Sequence, residues 1–311
     1  MRSLVRVLVL GAIVTLVLAF IPALHAKGLD FSKGDEWTYD VTDSYGPLTM
    51  VGTMRTSYAG TDTISVNDTD YRVYMVDFNT TMTGETVLVY TTVSSTVAID
   101  ERAYYTVDHM DIIKDVYDWR SHTETTLNGS TSNSSVHEHN VTTFIPPGGF
   151  GNWPTSIEVG ETWEIAYPST SVATIDEDGN TSSLVYSQNE TISYRYDGTT
   201  DISTPAGQFQ CQVIDETSSG WSQTSWQSDV AGAVAKLVQR SDSGETVTWL
   251  LKTYTYSRGV SKDPAIFYGV GAITAAAGIA LVVLVLWRQK RKPTQFTTGL
   301  ELQTSPVRSL P

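Results

Sequence analysis

The chain has 311 residues, a formal net charge of −14, 41% hydrophobic residues and a single cysteine. That length holds two ordinary domains, while one cysteine excludes an intramolecular disulfide, a zinc-finger pattern and a CxxC redox motif. The acidic balance argues against a nucleic-acid surface, which needs a basic stripe to meet the phosphates.

Residues 1–26 read as a secretory signal. Arg2 and Arg6 precede an apolar run over residues 8–20, Pro22 breaks it, and Ala23-Leu24-His25-Ala26 supplies small residues near a cleavage point. Leu24 stands three positions before the cut and suits it poorly, so an uncleaved anchor stays open. Near the other end, residues 265–287 form an apolar stretch without a charge, followed at once by Arg288-Gln289-Lys290-Arg291-Lys292. At 1.5 Å per residue, roughly 20 residues cross a 30 Å hydrocarbon layer. Tyr268 and Trp287 lie near the ends of the stretch, as interface residues do, and basic residues stay cytoplasmic. The expectation is a single-pass cell-membrane protein with its N-terminal domain extracellular and residues 288–311 as a cytoplasmic tail. Gly271, Ala275 and Gly278 are small residues through which two such helices would pack as a weak homodimer.

The charge is unevenly placed. Residues 27–263 carry 33 Asp and Glu against 13 Lys and Arg, a net of −20, and the remaining segments carry a net of +6. The exterior therefore repels anions, while the cytoplasmic stub attracts anionic head groups.

Between residues 27 and 263 the apolar residues alternate with a period of two, not 3.6. Trp37, Tyr39 and Val41 alternate with Thr38 and Asp40; residues 71–78 and 86–93 read as further strands. Asp178-Gly179 and Asp242-Ser243-Gly244 mark hairpins. The expectation is an all-β ectodomain of antiparallel sheet. Gly34-Asp35-Glu36-Trp37-Thr38-Tyr39 is echoed 126 residues later by Gly160-Glu161-Thr162-Trp163-Glu164-Ile165. A period of that size is about one small domain. Two half-barrel or sandwich-like modules are therefore expected: 27–145 with a polar loop at 121–143, a Pro- and Gly-rich linker at 146–156, and 157–260. One larger sheet carrying the motif twice is the alternative.

The Gly34–Tyr39 stretch, together with Thr204-Pro205-Ala206-Gly207-Gln208-Phe209-Gln210-Cys211-Gln212-Val213, resembles uncharacterised archaeal single-pass membrane-anchored surface proteins, which show G-D-x-W-x-Y and P-A-G-x-F-x-C strand motifs. The second stretch is also distantly similar to periplasmic domains of the lipoprotein-carrier half-barrel type. Trp221, Trp226 and the run from Asp229 to Lys236 stand where those proteins have an aromatic turn and a V-G-x-V-x-K stretch. The resemblance implies a curved antiparallel sheet and a surface location, not an activity.

Sugar acceptors are the most pronounced functional signal. Of eight Asn, seven begin an N-x-S/T sequon: Asn67, Asn79, Asn128, Asn133, Asn140, Asn180 and Asn189. Ser and Thr total 74 of 311 residues, so about two sequons in eight Asn would arise by composition alone. All seven lie in the expected exterior, as glycosylation requires.

Groups that carry chemistry elsewhere are weak here. His137-Glu138-His139 on a strand would put two imidazoles on one side for a divalent metal, yet it sits inside the sequon cluster with no third ligand identifiable and reads as solvated loop. Asp176-Glu177-Asp178-Gly179-Asn180 fails the EF-hand spacing and reads as a turn. Asp108-His109-Met110-Asp111 falls within a plausible strand. Cys211, on one face with Phe209 and Val213, reads as a small buried hydrophobe. No G-x-S-x-G, Walker A, dinucleotide or H-E-x-x-H pattern occurs. No cofactor, metal or catalytic residue is expected.

The favoured function is a glycosylated, non-enzymatic envelope protein that contacts other envelope proteins, glycans or lipids. A second reading is a carrier or sensor that holds a lipid-like molecule against Trp163, Phe209, Trp221, Trp226 and Trp249. A third is an ectoenzyme of unknown type.

Overall fold

The computed structural model describes residues 31–88, 91–148, 154 and 157–256. The expected signal segment, membrane span and tail lie outside the described residues. What is described is 83% strand without a helix.

Twelve antiparallel strands form one sheet: β1 (Glu36–Tyr45), β2 (Leu48–Val66), β3 (Thr69–Leu88), β4 (Thr91–Thr106), β5 (Ile112–Leu127), β6 (Ser130–Gly148), β7 (Thr162–Glu177), β8 (Asn180–Thr204), β9 (Gly207–Ser218), β10 (Trp221–Ser228), β11 (Ala233–Ser241) and β12 (Thr246–Thr255). Each pairs with its neighbours in sequence, and β12 returns to pair with β1, so the sheet closes into a barrel. The expectation of two separate modules is therefore corrected. β6 pairs with β7 from Val136↔Glu177 to Phe144↔Ser169, which joins the two halves in one wall. Residues 146–148 of the expected linker belong to β6.

The echo in the sequence is nonetheless a repeat of geometry. In the first half Ser32 N–H donates to Asp35 Oδ2, and Tyr58 N–H donates to the Asp35 carbonyl. In the second, Glu158 N–H donates to Glu161 Oε2, and Tyr196 N–H donates to the Glu161 carbonyl. Gly34 and Gly160 take φ of 105° and 87°, a region open to glycine because it lacks Cβ. Each following hairpin then shifts register just past its tyrosine, at Tyr58/Gly60 and at Tyr196/Gly198. A further matched pair lies at the β4–β5 and β10–β11 bulges. Lys114 Nζ sits 5.6 Å over the Tyr104 ring, and Lys236 Nζ sits 4.6 Å over Trp226. An entry turn, a hairpin bulge and a lysine–aromatic pair thus recur six strands apart around one barrel.

Strand parity decides which face each residue takes. On β1, Trp37, Tyr39, Val41 and Asp43 point inward, while Glu36, Thr38, Asp40 and Thr42 point out. The interior is filled by large side chains such as Trp37, Trp119, Trp249, Tyr39, Tyr167, Tyr194 and Phe144, all fully buried. The outer face carries cross-strand ion pairs, among them Arg102 with Asp77 at 2.5 Å, Arg195 with Asp215 at 2.7 Å and Lys252 with Asp40 at 2.8 Å. This polarity is the reverse of a membrane barrel, whose lipid face is apolar. The wall is built to face water.

Both described ends of the barrel segment, Phe31 and Tyr256, lie at the same end of the barrel. There Phe31 packs on Trp37, Tyr58 and Tyr74, and Tyr256 packs on Trp37. The β8–β9 hairpin folds over this end, with Ala206 N–H donating to the Leu251 carbonyl at 3.1 Å. At mid-wall the fit between β2 and β3 is tight: a Cβ built on Gly52 would stand 1.9 Å from the Thr81 carbonyl oxygen. Gly52→Ala is expected to destabilise the barrel by roughly 1–3 kcal/mol through overpacking. Thermal unfolding monitored by circular dichroism measures it, as a Tm lowered by several degrees.

Candidate functional site

Two clusters of polar chemistry stand out, one inside the barrel and one on its outer face. The inner one consists of acids. Asp43, Glu101, Asp115, Glu138, Glu216 and Glu245 are all buried, and among the described residues no Lys, Arg or His is buried with them. They point inward for the same reason as their apolar neighbours. Asp43 continues the parity of Trp37, Tyr39 and Val41, and Glu101 lies between Ile99 and Ala103 on the inner face of β4.

Asp43 on β1 faces Glu245, which immediately precedes β12; Glu101 on β4 faces Asp115 on β5. Burial, reinforced by the facing acid, raises the Asp43 and Glu101 carboxyls well above their ordinary range. Burial pushes Asp115 and Glu138 up to about 7 and Glu216 up to about 8. Glu190, partly buried on β8, is raised by burial as well, although Ser218 Oγ at 2.6 Å and Trp221 Nε1 at 3.1 Å donate to it. Phenols fill the space between these acids. Tyr167 and Tyr194 share a hydroxyl hydrogen bond of 2.9 Å. Tyr105 and Tyr117 lie against Glu101 and Asp115, and burial raises both phenols. Sequence reasoning missed this interior set, because an isolated acid reads as solvated unless its strand parity is followed.

The outer cluster contains the His137-Glu138-His139 motif. It lies on strand β6 and not in a solvated loop; its two imidazoles are on the outer face, while Glu138 points inward. The adjacent strand β5 supplies Asp118, which the sequence left unidentified. His137 Nε2 lies 2.6 Å from Asp118 Oδ1, and His139 Nδ1 lies 2.8 Å from Asp118 Oδ2. Arg120 reaches Asp100 at 3.3 Å and Asp118 at 3.5 Å. Both imidazoles hydrogen-bond one carboxylate, and among the described residues no three His, Cys, Asp or Glu form a group that holds a metal. Partial burial would raise Asp118, but the two histidines outweigh it and hold the carboxyl below its usual value.

Beside this cluster a groove of about 560 Å³ crosses the outer wall. It runs between two cross-strand rows, one of Ala98, Arg120 and His137, the other of Thr96, His122 and Ser135. The β7–β8 turn closes one end, where Ser135 N–H donates to Asp178 Oδ1 at 2.8 Å. That turn is the Asp176–Asn180 segment, and Asp176 Oδ1 is taken by the Gly179 N–H. Residues 108–111 are not strand: Met110 takes φ of 58°, and Asp111 N–H donates to Thr106 Oγ1, which makes the β4–β5 turn.

Six sequon asparagines are exposed: Asn67, Asn79, Asn128, Asn133, Asn180 and Asn189. Asn140 departs from that pattern. It is 3% exposed, faces the interior and donates to the Tyr186 hydroxyl at 3.5 Å. The expected polar loop 121–143 is in fact part of the β5–β6 hairpin, on whose inner face two pairs of hydroxyls meet. Thr123 and Ser95 hydroxyls lie 3.3 Å apart, and Thr142 and Ser171 hydroxyls 2.8 Å apart.

The five aromatics proposed to line a ligand are dispersed. Trp163 stacks on Tyr194 at 5.4 Å, Phe209 meets Tyr254 edge-on and Trp249 packs on Tyr39. Trp221 donates to Glu190, and Trp226 lies under Lys236. Cys211 is fully buried, and burial, with Asp229 and Asp201 nearby, pushes its thiol up to about 12.

Replacing both outer imidazoles (His137→Asn with His139→Asn) is expected to raise the titration midpoint of Asp118, since the two hydrogen-bonded imidazoles that lower it are gone while partial burial still raises it. Carboxyl-selective NMR titration of native and doubly substituted chains reads this directly. The stability that Asp118 contributes is present above its unfolded pKa, near 4, and is lost as pH falls through its lower folded value. At this half-exposed site it amounts to less than about 1 kcal/mol.

The chain matches no family model, no curated protein and no solved structure.

Proposed function

We propose that the chain is an exported, single-pass surface glycoprotein whose barrel acts by contact outside the cell and not by catalysis. The observation that carries this reading is the exposure of six of seven sequon asparagines, on the turns and the outer wall of the barrel. Sugars attached there require an exported protein. Because both described ends of the barrel lie together, the expected membrane span would leave from that end. The β5–β6 and β7–β8 turns, with Asn128 and Asn180, would then stand farthest from the bilayer. The groove between β3 and β7 is a concave part of the wall, and its hydroxyls, imidazoles, Arg120 and Asp178 would meet a partner rich in hydroxyls and mixed charge.

The carrier reading has less support, because the rings it relied on are engaged with core partners in separate parts of the barrel. The archaeal surface-protein resemblance remains a reason for the location and adds nothing on partners.

Purification of the full chain from native membranes, followed by glycopeptide mass spectrometry, tests the proposal. Expected are glycans at several of Asn67, Asn79, Asn128, Asn133, Asn180 and Asn189, and none at Asn140. An unmodified protein recovered from the cytoplasm would sink both topology and function.

A further inference from the structure

We propose that the barrel is an acid-side structure, whose buried carboxyls are kept neutral as hydrogen-bonding groups and whose wall loosens when a rising pH forces them to ionise.

The geometry carries this. Asp43 faces Glu245 at one seam of the barrel, and Glu101 faces Asp115 across β4 and β5. A carboxyl can hydrogen-bond another carboxyl only when one of them holds a proton. A buried base would remove that need by pairing with the acid, yet no Lys, Arg or His is buried among the described residues. The titratable groups facing the Glu101–Asp115 pair are themselves acids. They are Tyr105 on β4, Tyr117 on β5 and Tyr186 on β8; Tyr117 and Tyr186 also face Glu138 on β6, and Tyr105 also faces Tyr167 on β7. Glu216 faces Tyr167 and Tyr194, with the Gln223 and Ser225 side chains beside it and the neighbouring Asp215 adding to its rise. For Asp43 the interacting ionisable group is Glu245. Ionising any one of these acids places a negative charge among phenols, amides and other carboxyls, with no buried cation among the described residues. Two unpaired charges so buried repel each other and lose their hydration.

The direction of the effect follows by linkage. Asp115 and Glu138 release their protons near 7 and Glu216 near 8 in the folded barrel, against about 4 in the unfolded chain. Between those values the folded state binds more protons, so stability falls as pH rises. Its contribution is fully present in acid and is lost through pH 7–8. On the export reading above, the medium outside the cell is acidic; the proton chemistry stands whether or not the chain is exported.

Thermal unfolding of the full chain in detergent, from pH 5 to pH 8.5, tests this in 0.15 M and in 1 M NaCl. Expected is a Tm that drops by about 10 °C or more over that range. The drop persists in 1 M salt, which screens repulsion among exposed acids but not within the barrel. The isosteric variant Asp43→Asn with Glu101→Gln and Glu216→Gln, if folded, has a flatter profile. Independently of any variant, unfolding of the native chain in weakly buffered solution at pH 6.5 releases about two or more protons. A Tm that is level or rises with pH, a drop abolished by salt, a folded variant with unchanged slope, or unfolding without proton release would each overturn the proposal.

Discussion

The seam between β1 and β12 is the constraint on which the rest of the molecule depends. Nine residue pairs, from Glu36↔Thr255 to Ser44↔Thr246, join the first and last strands. Without them the sheet would present two long unpaired edges, each a template for another chain. Trp37 ties the seam to the second half, because its indole N–H donates to the Ala231 carbonyl at 2.7 Å from 194 positions away. Closure also creates the interior. A sheet left open has an inner face but no inside, and the buried acids, the stacked tyrosines and the neutral chemistry they share exist only because the wall meets itself.

The inside and outside of this wall follow opposite rules. Outside, acids meet bases: Asp77 with Arg102, Asp215 with Arg195, Asp40 with Lys252. Such exposed pairs hold charge at little energetic consequence. Inside, acids meet acids and phenols. The chain has fewer basic than acidic residues, 20 against 34, and among the described residues no basic one is buried.

Much of the fold was legible in the sequence. The alternation of Trp37, Tyr39 and Val41 with Thr38 and Asp40 carried the strand assignment, and Asp178-Gly179 carried its hairpin. The Gly34 and Gly160 motifs marked a true repeat of turn, strand and bulge. What could not be read was how the repeats join. Period-two patterning shows which face a residue takes and is silent on which strand lies alongside, so one barrel looked like two modules. The same blindness hid Asp118, which meets His137 and His139 only through the β5–β6 register. Asn140 and Glu138 were legible in principle. They share the parity of Phe144, but a stretch rich in Ser, Thr and Asn reads as solvated when composition is weighed before parity.

The order of the strands also has a consequence for how the chain reaches this state. Eleven of the twelve ladders join strands that follow each other in sequence, ten of them across connections of two to five residues and so at small entropic expense. The twelfth brings together partners as distant as Asp40 and Lys252, 212 positions apart. Closing a loop of that length costs more than closing a hairpin, and pairings so distant are the slow ones in folding. The barrel is thus a meander that assembles locally and becomes a barrel only at its last ladder. Until that moment β1 and β12 are both exposed edges, and the interior acids still have water.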